Sequence, residues 1–163
     1  MPYVGGSLTS LFNHPQQRKT RDVMHRMVSR ASGVWVKTTI RETPVDTGLL
    51  RQGWFQLPVT ATPESVSSGV GTFVDYAPHV EYGTGLWGPK AAKYPITPKK
   101  PGGWLRWYGP DGRPIFARRV MHPGSPGRYM LHKGGDAALA AVKGGLLAAD
   151  LTAWAEAIAR EAD

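Results

Sequence analysis

The amino-acid sequence contains one long helical repeat that ends at a proline. From Pro15, which suits the first turn of a helix, to about Thr43, apolar residues recur close to every 3.6 positions, at Val23, Met27, Ala31, Val34, Trp35 and Thr38. Pro44 disfavours helical backbone in the residue before it and should end the helix. At a rise of 1.5 Å per residue the predicted helix is about 40 Å long, roughly the diameter of a compact domain of this size.

After Pro44 the sequence changes to the two-residue period of a β-strand. Residues 53–60 and 66–74 predict two strands, and the second one has Val66, Ser68, Val70, Thr72 and Val74 at alternate positions. The turn-forming residues Thr62-Pro63-Glu64-Ser65 lie between the two segments. This part of the chain therefore predicts an antiparallel hairpin.

A second hairpin and a second helix are predicted further along. Residues 104–108 and 115–120 flank Gly109–Pro114, whose glycine, proline and aspartate residues are typical of a turn between two strands. From Asp136, a suitable N-cap, apolar residues return to a helical period, and Gly144-Gly145 is expected to kink or break this helix.

The order helix, strands, helix predicts an α+β fold. We expect a small antiparallel sheet with the long N-terminal helix and a C-terminal helix packed on one face. With 163 residues, 41% of them hydrophobic, the chain is long enough for one domain with an apolar core and too short for two. Residues 1–14, which lack any period, should form an N-terminal arm, and residues 15–163 a single domain with a hairpin and loop insertion at about 86–125.

Basic and acidic residues alternate in blocks along the chain. The formal net charge is +8. Residues 15–41 carry +6 and residues 86–135 carry +9, whereas residues 42–85 carry −4 and residues 136–163 carry −3. Such blocks are typical of a nucleic-acid footprint or of complementary surfaces between stacked subunits, and charge alone does not choose between them.

The predicted insertion interleaves basic and aromatic residues. They are Lys93, Tyr94, Lys99, Lys100, Trp104, Arg106, Trp107, Tyr108, Arg113, Phe116, Arg118 and Arg119. Phosphate contact and base stacking use this combination. Successive residues of strand 104–108 point to opposite sides of a hairpin, however, so the same pattern also fits a solvated face over a buried one. Both interpretations stay open from the sequence.

Two Thr-Gly tripeptides could belong to an active site. Asp46-Thr47-Gly48 matches the tripeptide of aspartic proteases, but there it follows an apolar strand, whereas here it follows a helical segment. Gly83-Thr84-Gly85 lacks the Lys-Ser/Thr that completes a phosphate-binding loop. We therefore interpret both tripeptides as tight structural turns, with the protease as an alternative for the first.

The rest of the sequence has no pattern of catalytic or metal-binding residues. Without cysteine, disulfides and thiolate sites are excluded. The five histidines show no metal-ligand spacing, and no serine lies in a Gly-x-Ser-x-Gly elbow. No run of about 18 apolar residues predicts a membrane span. We expect a protein that is not an enzyme and has no metal, cofactor or membrane contact.

Several motifs, taken in order, resemble one protein family. They are TPVDTGLLR at 43–51, YAPHVEYGTG at 76–85, PGRYML at 126–131 and, as in the longer β insertion of some members, ITPKK at 96–100, IFARRV at 115–120 and HPG at 122–124. This order resembles the tail-completion or neck proteins of tailed bacteriophages related to minor tail protein Z. The resemblance covers roughly residues 20–150 and departs from the family at Gly134-Gly135 and Gly144-Gly145, in what should be the last helix.

The resemblance implies a structural virion subunit that assembles in the host cytoplasm. Such subunits form a ring, usually a hexamer, between the capsid connector and the tail. The implied partners are copies of the chain, the head-closure or adaptor protein, the tail terminator or tail tube, and packaged DNA that passes non-specifically through the channel.

The resemblance and the charge pattern together select two groups of residues. The family motifs imply packing roles for Tyr76, Glu81, Tyr82, Tyr129 and Leu131. The DNA channel or the ring interface is expected to use Lys99, Lys100, Arg106, Arg118, Arg119, Trp104 and Trp107. Two alternatives remain: a tail terminator or head-closure ring of the same neck, and a free-standing basic protein that binds nucleic acid.

Overall fold

The computed structural model describes residues 15–62 and 65–162, so the predicted arm at 1–14 lies outside the described residues. The chain forms two compact units. One unit combines the described residues up to Val74 with those from Met130 onward, and the other comprises Asp75–Tyr129, which includes the predicted insertion at 86–125. Helices and short antiparallel strands confirm the predicted α+β class.

The first unit contains the long helix that the sequence predicts. Helix α1 runs from Pro15–Glu42, and its last turn closes with Thr43 N–H donating to the Ile40 carbonyl at 3.3 Å. Pro44 follows directly, which confirms the predicted end of the helix. Helix α1 contacts both the strands of this unit and its C-terminal helices, so it forms the centre of the unit.

The predicted first hairpin is present, with each arm divided into two strands. After the short helix α2 (Leu49–Gln52), β1 (Trp54–Gln56) pairs with β4 (Val70–Thr72). Beyond them β2 (Thr60–Ala61) pairs with β3 (Val66–Ser67). Pro58 lies at the break between β1 and β2, where it has no N–H to donate to a ladder. This explains why the observed strands are shorter than the predicted ones.

Hydrogen-bonded polar side chains join α1 to this hairpin. Gln56 Nε2 donates to Ser32 Oγ at 2.6 Å and to the Ser29 carbonyl at 3.0 Å. The Trp54 indole N–H donates to Thr43 Oγ1 at 2.9 Å, and Thr43 Oγ1 donates to the Thr39 carbonyl at 2.6 Å. Within the described residues every buried side-chain nitrogen or oxygen has a hydrogen-bond partner, as a stable interior requires.

The bond between Trp54 and Thr43 provides a test of this polar core. We expect Thr43→Val to lower the free energy of unfolding by about 1–3 kcal/mol, because it leaves the buried indole N–H without its acceptor. Urea unfolding of this variant, of Trp54→Phe and of the double variant would measure it. The double variant should lose less than the sum of the single losses, and simple additivity would show that the bond contributes nothing.

The C-terminal region forms two helices, with a break where the sequence predicted one. Helix α4 spans Met130–Lys143 and helix α5 spans Ala148–Ala162. Gly145 has a φ of 92°, a left-handed conformation that ends α4. Helix α5 is joined to α1 by the Trp154 indole N–H, which donates to Thr20 Oγ1 at 3.1 Å.

The predicted start of the C-terminal helix at Asp136 was wrong. Helix α4 already begins at Met130 and runs through Gly134-Gly135. In the sequence these two glycines depart from the family pattern of a continuous last helix. Gly134 is buried against α1, where a Cβ would lie 2.6 Å from Trp35 Cδ1. The contact between the two helices thus requires a glycine at this position, and helix packing outweighs its low helix propensity.

The second unit consists mainly of two antiparallel strand pairs. Helix α3 (Ala77–Tyr82) and a 3-10 turn (Gly85–Trp87) precede β5 (Tyr94–Ile96), which pairs with β8 (Val120–His122). Between these strands, β6 (Leu105–Tyr108) pairs with β7 (Pro114–Ala117). This last pair is the predicted second hairpin.

Candidate functional site

The β6–β7 hairpin is shaped by its turn. Gly109 N–H donates to the Arg113 carbonyl at 2.9 Å, and Gly112 N–H donates to the Gly109 carbonyl at 2.9 Å. Asp111 Oδ1 accepts the Arg113 N–H at 3.1 Å, and Gly112 has a φ of 73°, which glycine adopts without strain. These bonds fix the turn length and therefore the register of the two strands.

The register gives the hairpin two chemically different faces. Arg106 lies opposite Phe116, and Tyr108 lies opposite Pro114. Because neighbours across an antiparallel pair share a face, one face carries aromatic and basic side chains. We call it the cationic–aromatic face, and its members are Trp104, Arg106, Tyr108, Phe116 and Arg118.

On the cationic–aromatic face each arginine is held against aromatic rings. The Arg118 guanidinium carbon lies 4.1 Å from the centroid of the Trp104 ring, and Arg118 Nη1 also donates to the Gly102 carbonyl. The Arg106 guanidinium carbon lies 5.2 Å from the Tyr108 ring centroid, and Arg106 Nη2 donates to the Tyr108 hydroxyl at 2.6 Å. Such contacts restrict the side-chain rotamers, so the two guanidinium groups are already ordered at the protein surface.

The rings of this face remain open to solvent. Trp104, Tyr108 and Phe116 are 57%, 63% and 56% exposed. Isolated exposed aromatic residues are common, but three on one face of a small hairpin form a patch of the kind that marks interaction sites.

The opposite face of the hairpin is apolar. Leu105 lies opposite Ala117, and Trp107 lies opposite Ile115. One of the two interpretations of the sequence was that this face is buried and only the other face is solvated. In the structure, however, Trp107 and Ile115 are each 39% exposed. We call these four residues the apolar face. Both faces of the hairpin are therefore accessible.

Other basic residues extend the positive charge around the hairpin. Lys99 and Lys100 are exposed in the connection between β5 and β6, and Arg119 is exposed between β7 and β8. Unit 75–129 contains nine Lys and Arg residues against three acids, Asp75, Glu81 and Asp111. Glu81 is buried, so exposed positive charge strongly exceeds exposed negative charge.

The family resemblance rests on the sequence motifs alone. Comparison of the chain with known protein families, curated proteins and solved structures found no match. Among the motif residues with implied packing roles, Glu81 is buried and Leu131 accepts a hydrogen bond on its carbonyl from the Trp35 indole at 2.8 Å. The other three, Tyr76, Tyr82 and Tyr129, are each nearly half-exposed.

The first Thr-Gly tripeptide lies in the exposed loop between α1 and α2. Asp46 and Thr47 are exposed, and Gly48 has a φ of 84° at the position before α2 begins. Thr47 Oγ1 accepts the Leu49 N–H at 3.5 Å, the outer limit of a hydrogen bond. Gly48 thus turns the chain from one helix into the next.

The second Thr-Gly tripeptide is hydrogen-bonded to a segment far along the chain. Thr84 N–H donates to the Ser125 carbonyl at 2.8 Å, and Leu86 N–H donates to the Pro123 carbonyl at 2.7 Å. Thr84 Oγ1 also accepts the Ser125 N–H at 3.0 Å. We call this contact between residues 80–86 and 123–129 the base joint, because it connects the two ends of the second unit.

Sequence reasoning did not find the pairing in the base joint. The sequence shows the glycines of both segments, but only the fold shows that Gly85 and Gly124 face each other: a Cβ on Gly124 would lie 2.7 Å from Gly85 Cα. The available signal was the Gly-Thr-Gly of residues 83–85 in one segment and the Pro-Gly pairs at 123–124 and 126–127 in the other. Tyr82 of the base joint, together with His79 and Lys90 near it in the chain, also lines an open, mainly apolar groove of about 620 Å³.

Within the described parts of the chain, no group of three or more His, Asp or Glu side chains is placed to hold a metal ion. No single described helix is long and apolar enough to cross a membrane. Helices α4 and α5 pass that test of length and composition only as a pair, with a 48° bend between them.

Proposed function

We propose that this chain is a structural subunit of the neck of a tailed bacteriophage, which forms a ring of identical copies between the capsid connector and the tail. The proposed partners are further copies of the chain, the neighbouring neck or tail proteins, and the packaged DNA in the channel. The proposed location is the virion, after assembly in the host cytoplasm. The function is structural and involves no catalysis.

The accessible apolar face of the β6–β7 hairpin carries this proposal. An isolated two-stranded hairpin is marginally stable in water, so this one gains stability when Leu105, Trp107 and Ile115 are covered. Aromatic residues are enriched in the buried centres of protein interfaces. A ring subunit needs such a surface because each copy must bind the next.

The order of the neck-family motifs and the charge distribution also support the proposal. A ring around DNA tolerates or favours a basic lining, and the unit that contains the hairpin is strongly basic. The apolar face accounts for contact with another copy, and the basic residues account for proximity to DNA.

Assembly of the purified chain tests the proposal. We expect native mass spectrometry to find one closed oligomer, a hexamer by family resemblance, and we expect Trp107→Asp to weaken the subunit contact by about 2 kcal/mol or more, as for a central aromatic interface residue. Phe116→Asp is the control, because Phe116 lies on the cationic–aromatic face of the same hairpin.

Electron microscopy of antibody-labelled virions from the producing host should then find the chain at the junction of head and tail. A chain that is absent from virions contradicts the proposal. Equal loss of assembly in Trp107→Asp and Phe116→Asp would contradict the choice of the apolar face as the contact surface.

A further inference from the structure

The cationic–aromatic face has a composition that the ring contact does not explain. A contact between subunits covers the apolar face, whereas Arg106 and Arg118 lie on the opposite side with three exposed rings. No acid lies on this face, since Asp111 is in the turn, where its carboxylate is 3.7 Å from Arg113 Nε. Its partner must therefore supply negative charge together with flat groups that stack.

We propose that the cationic–aromatic face binds single-stranded nucleic acid, with bases stacked on its rings and phosphates paired with Arg106 and Arg118. This inference goes beyond the neck assignment and does not depend on it. Stacking accepts any base because every base has a π-face, so the binding has little sequence preference.

The positions of the rings support base stacking. Trp104 and Tyr108 are four residues apart with Arg106 between them, and Phe116 lies opposite Arg106 on the neighbouring strand of the same face. Neighbouring side chains on one face of a strand are separated by about 6–7 Å, so Trp104, Arg106 and Tyr108 form a row about 13 Å long along which splayed bases can stack. The guanidinium planes that lie beside the rings provide further stacking surfaces.

The arginines supply the contacts to phosphate. A guanidinium that is held beside a ring still has N–H donors for phosphate, and it binds phosphate without losing much rotamer freedom. Lys99, Lys100 and Arg119 are exposed nearby in sequence and add to the positive potential around the hairpin.

The exposed rings favour a single strand over a duplex. The bases of a duplex are stacked on one another and offer no open face, so a duplex would contact the arginines but leave the rings unused. Only a strand with unpaired bases uses both kinds of side chain at once.

Fluorescence anisotropy with the full chain tests this inference. The probes are a labelled oligothymidylate and a labelled duplex of equal length, each at several salt concentrations. We expect the single strand to bind more tightly than the duplex, with log K falling linearly with log salt. This comparison uses the unchanged protein, so it does not depend on how any variant folds.

Variants then assign the binding to the face. Tyr108→Ala should weaken binding of the single strand by about tenfold, Tyr108→Phe should retain it, and Arg106→Gln should reduce the salt slope by about 0.7. Trp87→Ala is the matched control, because Trp87 is an exposed tryptophan of the same unit that lies outside the hairpin, and this variant should leave binding unchanged.

Three results would overturn the inference: binding of the duplex as tight as that of the single strand, equal losses in Tyr108→Ala and Trp87→Ala, or binding to anionic phospholipid vesicles without binding to the oligonucleotide. The neck proposal is judged separately. A chain that binds single strands through this face but is absent from virions supports the inference and contradicts the neck proposal. A chain that forms the ring in virions but does not bind oligothymidylate contradicts the inference and supports the neck proposal.

Discussion

Gly124→Ala will unfold or strongly destabilise the second unit. A Cβ at this position would meet the Thr84 carbonyl and lie 2.7 Å from Gly85 Cα, and Gly124 also has a φ of 93°. Both partners are backbone atoms, which cannot move without breaking the base joint. The clash and the left-handed backbone together should cost about 3 kcal/mol or more.

Hydrogen exchange measures this loss where it occurs. The amides of Thr84 and Leu86 donate across the base joint. Their exchange rates should therefore rise in the variant by the factor that corresponds to the same loss of free energy. Gly112→Ala is the matched control, because Gly112 has a φ of 73° but no atom within 4 Å of a built Cβ. Gly112→Ala should lower the stability of the unit only by the cost of left-handed backbone for alanine, about 1–2 kcal/mol. Similar losses for Gly112 and Gly124 would show that the close approach is unimportant.

Gly134→Ala should lower the stability of the first unit by about 2–4 kcal/mol. A Cβ on Gly134 would meet Thr39 Oγ1 and lie 2.6 Å from Trp35 Cδ1 and 2.9 Å from the Trp35 carbonyl oxygen. Helices α1 and α4 would have to separate, which would strain the hydrogen bond from the Trp35 indole to the Leu131 carbonyl. Overpacking of this kind outweighs the better helix propensity of alanine.

The neighbouring glycine gives the opposite expectation. A Cβ on Gly135 would lie 3.7–3.9 Å from the Trp35 ring, which is ordinary van der Waals contact. Gly135→Ala should therefore raise stability by up to about 1 kcal/mol through helix propensity. Urea unfolding followed by tryptophan fluorescence compares the two variants, and a stabilised Gly134→Ala would mean that the helices are not in close contact there.

The parts of the fold that local patterns determine could be predicted from the sequence. Pro44 marks the end of α1 and Gly145 the break after α4, because proline and glycine act on the backbone at their own positions. The second hairpin could be recognised because Gly109–Pro114 contains the turn chemistry that its strands require.

Contacts between distant segments could not be predicted. From the sequence, Gly134 only lowers the helix propensity, and its contact with Trp35 becomes visible in the fold. Likewise, no local pattern indicates that Gly85 and Gly124 are in contact. The same holds for the candidate site. Alternation places Trp104, Arg106 and Tyr108 on one side, but the positions of Phe116 and Arg118 beside them depend on the turn length that sets the register.

The base joint has a consequence for how this chain can vary. Because the entry and exit segments of residues 75–129 are hydrogen-bonded to each other, changes of length between Gly88 and Pro123 do not alter the spacing of the two ends. The hairpin can thus lengthen, shorten or be exchanged as a cassette, at only the small entropic cost of a longer loop. Related chains can thus keep the base joint and carry different hairpins between its two segments.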